Sequence, residues 1–291
     1  MRMHLVDGTY ELYRAHFAPR PGHLAPNGID AKATVGIVAS LLALLNDPEE
    51  SVTHIAVAFD NPIRSFRNDL YPPYKSDEGV PPELRAQFDA AEAAVRAIGV
   101  TAWPMRDFEA DDALATAAHR FGGEVEQVRI LTPDKDLGQC LNGDRVVQVD
   151  RRQRKVMNET AFRELRGFAP RSMPDFLALA GDAADGFPGL PGFGQKTASL
   201  LISAYEHIEE IPTDPLEWKV NLRGATQLAA TLVDRRDQAI LFRRLATLVD
   251  HVPIAESLDD LRFAGVPRDS FRRWCDELGI ERLKSVPKRW R

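Results

Sequence analysis

The chain has 291 residues, 44% of them apolar and 27% charged, with a formal net charge of −6. These are ordinary globular proportions, enough for one large domain or a domain with an appendage, and they argue against disorder as the default. The longest apolar stretch, around residues 37–45, is too short to span a bilayer, and the start MRMHLVDG has no secretion-signal pattern. Two distant cysteines, Cys140 and Cys275, and singly scattered histidines give no disulfide framework and no zinc spacing, so the expected compartment is a reducing cytoplasm.

In chain order, residues 4–6 read as a strand, 9–17 as a helix, and 31–45 as a helix rich in Ala, Val and Leu. Residues 53–59 are β-branched and apolar, a buried strand, after which a polar, proline-punctuated stretch runs to Pro82. Residues 83–98 carry apolar side chains at helical spacing. A short strand is predicted over 100–103, a helix over 110–120, a strand over 127–131, and edge strands over 145–149 and 155–156. This alternation predicts an α/β fold, a mostly parallel sheet flanked by helices, with ligands beyond the carboxyl ends of the strands. From about residue 160 helices dominate. The Gly- and Pro-dense GFPGLPGFGQKTA lies between helices over 173–180 and 196–204, predicting a helix–hairpin–helix at about 173–204. The expected organisation is a core over 1–159 and a helical part over 160–291, packed together as one catalytic unit.

Nine carboxylates are clustered rather than scattered. Asp7 closes MHLVD and Asp60 closes HIAVAFD; Glu109, Asp111 and Asp112 lie in FEADD, Asp134 and Asp136 in VRILTPDKD, Asp182 and Asp185 in GDAADG. Taken singly, such acids have a bland reading: they cap helices, worth about 0.3–1 kcal/mol each, or make turns. Independent caps have no reason to recur at the same end of neighbouring strands. Converging carboxylates cannot all stay ionised without cations between them, and oxygen-only sites suit Mg²⁺ or Mn²⁺, two of which can drive phosphoryl chemistry. Chain order assigns Asp7, Asp60, Glu109, Asp111 and Asp112 to one ion, and Asp134, Asp136, Asp182 and Asp185 to the second. Setting these nine aside leaves the rest of the chain at +3, with basic runs RRQRK, RRDQAILFRR and KRWR, so a nucleic-acid partner stays open.

The glycine turn, 189–194, exposes backbone N–H groups at a helix start, an arrangement that favours a phosphate, with Lys196 and Thr197 as added donors. The bland reading is a tight connection only. A nucleotide P-loop is excluded, because the G-x-x-x-x-G-K-[ST] spacing is absent. Between Asp60 and Pro82, Arg64, Arg67 and Lys75 interleave with Phe66, Tyr71 and Tyr74, a pattern that suits single-stranded nucleic acid and equally a polar surface loop.

LVDGTYELYRAHF, FDNPIRSFRNDLYPPYK, FEADD, ILTPDKDL and GDAADGFPGLPGFGQKTA, in this order, resemble the structure-specific 5′-nucleases, the bacterial flap endonucleases that include the 5′-nuclease domain of DNA polymerase I. The resemblance runs from residue 3 to about 283. It implies a PIN-like parallel sheet, a helical arch at about 64–98 and a helix–three-turn–helix. It implies 5′→3′ exonuclease and flap endonuclease activity on DNA flaps, nicks and gaps, with two or more Mg²⁺ or Mn²⁺ ions on the nine carboxylates. Lys75, Arg67 and Arg14 then match positions that act on the scissile phosphate or lie near it. Tyr74 matches the neighbouring aromatic, and the glycine turn with Gly189, Gly192 and Gly194 matches a duplex-backbone grip that often takes a monovalent cation such as K⁺; Arg64, Lys196 and Thr197 are the further DNA contacts expected from the residue pattern. Two departures stand out: Gly186 replaces an asparagine, and Asp77 with Glu78 follow YKS where polymerase-linked members carry arginine. With the sequence ending at Arg291 and no polymerase domain in it, the expectation is a free-standing, monomeric nuclease with an unidentified replication or repair partner. The competing expectations are an RNA-directed PIN-type nuclease and a flap-binding protein that has lost its chemistry.

Overall fold

The computed structural model describes all residues, Met1–Arg291. The elements run β1 Arg2–Asp7, α1 Gly8–Phe17, α2 Lys32–Asn46, β2 His54–Asp60, α3 Arg67–Leu70, α4 Pro82–Arg85, α5 Phe88–Ala97, β3 Thr101–Met105, α6 Ala110–Phe121 and β4 Gln127–Leu131. They continue as β5 Val146–Asp150, β6 Lys155–Met157, α7 Glu159–Arg166, α8 Met173–Ala180, α9 Gln195–Tyr205, α10 Ala225–Asp234, α11 Arg236–Ala246 and α12 Arg268–Leu278. No helix is long and apolar enough to cross a membrane.

Two compact units divide the chain. The first comprises Met1–Ser65, Ser76–Thr132 and Asp250–Arg291; the second comprises Phe66–Lys75 and Pro133–Val249. In the first, β3, β2, β1 and β4 lie side by side, all parallel. Every residue of β2, HIAVAFD, is buried, the near-continuous apolar run that a covered parallel strand requires. Helix α6 packs on all four of these strands, α1 on β1 and β2, and α5 on β3 and α2. The fold class is α/β, as the alternation predicts.

The second unit holds the antiparallel β5–β6 hairpin and helices α3 and α7 to α11 around their own core. Phe187 stacks on Phe242 at 5.5 Å, and Tyr71 meets the same ring edge-on at 5.7 Å. The helical hairpin predicted at about 173–204 is present as α8, a glycine-rich turn and α9.

One expectation is corrected. The helical part after residue 160 is not one piece, because the chain returns to the first unit at Asp250. There Val252 N–H donates to the Thr116 hydroxyl at 3.0 Å, Phe263 N–H to the Thr53 carbonyl at 2.9 Å, and the Arg120 guanidinium to the Ile254 carbonyl at 2.8 Å. The stretch 64–98, expected as a helical arch, carries short helices. It breaks at Ala86–Gln87 into α4 and α5, whose side chains Leu84, Phe88, Ala91, Ala94 and Val95 are fully buried. An apolar stripe of that width is stable only against other protein.

Candidate functional site

In the first unit, adjacent strands β1 and β2 end in Asp7 and Asp60, with Asp7 opposite Ala58 in the parallel register. Asp7 caps α1: Oδ1 accepts from Tyr10 N–H at 2.8 Å and Oδ2 from the Thr132 hydroxyl, one residue beyond β4, at 2.9 Å. Asp60 Oδ1 accepts from Ala110 N–H at 2.8 Å, which draws it to the start of α6. There Glu109 and Asp112 form a capping box, Asp112 Oδ2 accepting from Glu109 N–H at 3.0 Å, while Ser65 donates to Glu109 Oε1 at 2.6 Å. Asp111 is half-buried beside them. The capping reading of FEADD is therefore correct as far as it goes. Capping alone needs no further buried carboxylates at the strand ends, and Asp7, Asp60, Glu109 and Asp112 are all buried.

The tightest convergence lies in the second unit. Asp136, Asp182 and Asp185 each offer a carboxylate oxygen, and these oxygens all lie within 4.8 Å of one another. Asp136 sits in the 3₁₀ turn Lys135–Cys140, and Asp182 opens a loop closed by paired backbone bonds with Phe187 at 2.8 and 3.0 Å. Burial, followed by the charges of Asp134, Asp185 and Asp182, pushes the Asp136 carboxyl well above the ordinary carboxylate range. The Lys135 ammonium donates to Asp182 Oδ2 and lies 3.3 Å from Asp136 Oδ1. Burial works to lower its pKa, and the Asp136 and Asp182 carboxylates overcome this and raise it. A buried all-oxygen set, repelling itself and already holding an amino-acid cation, fits a hard divalent ion. Asp134 stands apart: it is exposed and caps the turn, accepting from Asp136 N–H at 3.0 Å.

Lys75 approaches this trio. Its N–H donates to the Asp185 carbonyl at 3.0 Å, and its ammonium lies 3.8 Å from Asp185 Oδ1. Tyr74 donates its hydroxyl to Asp185 Oδ2 at 2.9 Å, and its ring is only 3% exposed, so it anchors the loop and cannot stack on a base. Arg67 is corrected likewise. It is 0% exposed, with its guanidinium on the carbonyls of Leu245 at 2.7 Å and Thr247 at 2.9 Å, which suits a structural tie and not a phosphate contact. In the first unit, the Arg14 guanidinium is held by Glu11 and by the Ser40 hydroxyl at 2.7 Å, while Arg64 is exposed.

The glycines divide by role. Gly189 is buried with φ +70°, and a Cβ there would meet the Gly181 nitrogen at 2.3 Å, so this residue serves packing. Gly192, Gly194 and Lys196 are exposed, Thr197 is half-buried, and Gly194 is the N-cap of α9, so the phosphate-favouring end of that helix is open. Gly186 has φ +81°, and a Cβ would meet the Pro73 carbonyl at 2.5 Å. An asparagine tolerates that φ but not that collision. Gly186→Asn is therefore expected to destabilise the fold by about 1–3 kcal/mol, read as a lower denaturant midpoint.

Sequence reasoning assigned no role to Lys135, Thr132 or Ser65. Lys135 was visible as a cation between two clustered acids. The other two are ordinary hydroxyls whose partners lie 125 and 44 residues away.

Residues 2–167 match the family of the 5′-3′ exonuclease N-terminal resolvase-like domain, and residues 168–269 that of the 5′-3′ exonuclease C-terminal SAM fold. DNA polymerase I of Mycobacterium tuberculosis (strain ATCC 25618 / H37Rv) is 34% identical over 287 residues, 96% of this chain and 31% of the polymerase. DNA polymerase I of Bacillus subtilis (strain 168) is 30% identical over 286 residues, with 96% and 31% covered. The chain thus spans about a third of the length of these relatives. Among solved structures, the T5 5′-exonuclease with bound zinc shares the fold with a TM-score of 0.67 and 18% identity, covering 96% of this chain and 98% of that one. The catalytic core of Rad2 in complex with DNA substrate follows at 0.60 and 15%, covering 96% and 87%. With both family domains matched in sequence over one continuous stretch, the chain belongs to the 5′-3′ exonuclease family.

Proposed function

We propose that this chain is a divalent-metal-dependent 5′→3′ exonuclease and flap endonuclease, hydrolysing DNA phosphodiesters at 5′ flaps, nicks and gaps to leave 5′-phosphates. The observation that carries this reading is the convergence of Asp136, Asp182 and Asp185 with the Lys75 ammonium 3.8 Å from Asp185. Each unit brings its own acid set: Asp7, Asp60, Glu109, Asp111 and Asp112 for one ion, Asp136, Asp182 and Asp185 with Asp134 at the edge for another. Mg²⁺ or Mn²⁺ held there supplies Lewis-acid stabilisation of the negative charge that grows on phosphate oxygens during hydrolysis.

The chain's own residues do the rest. Lys75, fixed through its backbone and through Tyr74, presents a positive charge to a phosphate from a half-buried position, where charge is poorly screened. The exposed N-terminus of α9, with Lys196, grips a backbone phosphate, and K⁺ there would strengthen the grip. Both contacts are blind to base identity, so selection rests on duplex shape and a free 5′ end. Structural neighbours with DNA in them support the substrate class: a bacteriophage T5 flap endonuclease in a pseudo-enzyme-product complex with DNA and metal ions, and the Rad2 core with DNA substrate. Cys140 and Cys275 form no disulfide, which suits action in a reducing cytoplasm.

A panel of 5′-labelled flap, nicked, gapped and single-stranded DNA, with matching RNA, tests the reading. Cleavage of the DNA flap near its junction is expected with Mg²⁺ or Mn²⁺ and none with EDTA. Preferential cleavage of RNA, or cleavage unaffected by chelation, would refute it.

A further inference from the structure

We propose that Lys135 is a built-in counter-ion for the second acid set, offsetting its charge and competing with the divalent cation for the same acids. The inference rests on the metal reading above and adds a residue that sets how tightly the metal is held.

The sequence Asp134–Lys135–Asp136 places a lysine between two acids at the start of a 3₁₀ turn. A lysine there has every opportunity to point into water, and 32% of its side chain is exposed. Its ammonium turns inward instead. It donates to Asp182, whose side chain is only 4% exposed, and stands 3.3 Å from Asp136 Oδ1. Asp182 lies 47 residues further along the chain, so one ammonium ties two separate segments of the trio together. Lys75 reaches the third member, Asp185, at 3.8 Å. Three carboxylates thus face two ammonium groups, which offsets part of the repulsion expected among like charges within 4.8 Å.

The two ammonium groups are not equivalent. Lys75 approaches one edge, through a side chain whose backbone is separately pinned to Asp185. Lys135 contacts two of the three ligand residues at once, where a cation shared by Asp136 and Asp182 would meet its charge. An ammonium and a dication held by the same two carboxylates repel each other at close range. Loading therefore favours movement of Lys135 away from the acids, and its part-exposed side chain has solvent to move into.

The test compares Mn²⁺ binding by the full-length chain, measured by calorimetry and by the loss of the free-ion electron paramagnetic resonance signal, with melting in EDTA and in Mn²⁺. Lys135→Met is expected to bind Mn²⁺ about tenfold more tightly with the same number of ions, since a competing charge has gone. It is also expected to melt below wild type in EDTA, with the gap closing in Mn²⁺. Lys135→Gln, more polar and better tolerated if the Met variant misfolds, should shift affinity the same way, and Lys135→Arg should bind as wild type does. Equal or weaker Mn²⁺ binding by Lys135→Met and Lys135→Gln, at unchanged stoichiometry, would overturn the counter-ion role while leaving the metal reading intact. If Asp182→Asn bound as many Mn²⁺ ions as wild type, both would fall.

Discussion

Asp182→Asn is expected to lower kcat on a 5′-flap duplex by about 10³-fold or more, while the same duplex still binds in Ca²⁺. The magnitude follows from removing one charged ligand of a metal whose electrostatic contribution amounts to several kcal/mol, each 1.36 kcal/mol being tenfold in rate. Asp182 gives a cleaner test than the first-unit acids. Asp112 is fully buried and closes a capping box, so Asp112→Ala would lose helix stability together with any ligand. Asparagine at 182 keeps the shape and an acceptor for Ala184 N–H, the contact that Oδ1 now makes at 3.0 Å. Single-turnover cleavage and anisotropy of a labelled flap separate the two effects. Cleavage near the wild-type rate would remove Asp182 from the metal site. Loss of binding and cleavage together, with a lowered melting temperature, would mean a folding defect.

The second large effect is expected at Lys75. Lys75→Ala should reduce kcat by about 10²–10³-fold and change the affinity for the flap by only about threefold, the signature of an interaction made chiefly in the transition state. The backbone bond to the Asp185 carbonyl and the Tyr74 anchor are untouched by this change, so the loop should stay in place. Lys75→Arg keeps the charge but not the compact ammonium and should recover part of the loss. A variant whose loss fell wholly in affinity would make Lys75 a ground-state phosphate contact.

Much of this architecture could be read from the chain because local pattern and tertiary role agree. Strands β1, β2 and β4 announce themselves as apolar runs, two of them ending in an acid, and α2 as an almost uninterrupted aliphatic helix. The carboxylates were legible for the same reason, since acids against buried strands contradict ordinary partition. Reading failed where a residue's surroundings come from distant segments. Arg67 and Tyr74 lie in a stretch of alternating cations and aromatics that looks like surface, yet their partners are at positions 245, 247 and 185. Gly186 looked like a mild departure until the Pro73 carbonyl was found lying against it. Division of the chain into 1–159 and 160–291 missed the return at Asp250, because a run of loops carries no periodic signal of where it docks.

That return governs the order in which a nascent chain can mature. Residues 133–249 are synthesised as one stretch and can begin to condense as soon as they emerge. The first unit must wait: Phe263 N–H reaches the Thr53 carbonyl, Val252 N–H the Thr116 hydroxyl and the Ile254 carbonyl the Arg120 guanidinium only once residues 252–263 leave the ribosome. The parallel sheet, begun first, is therefore sealed last.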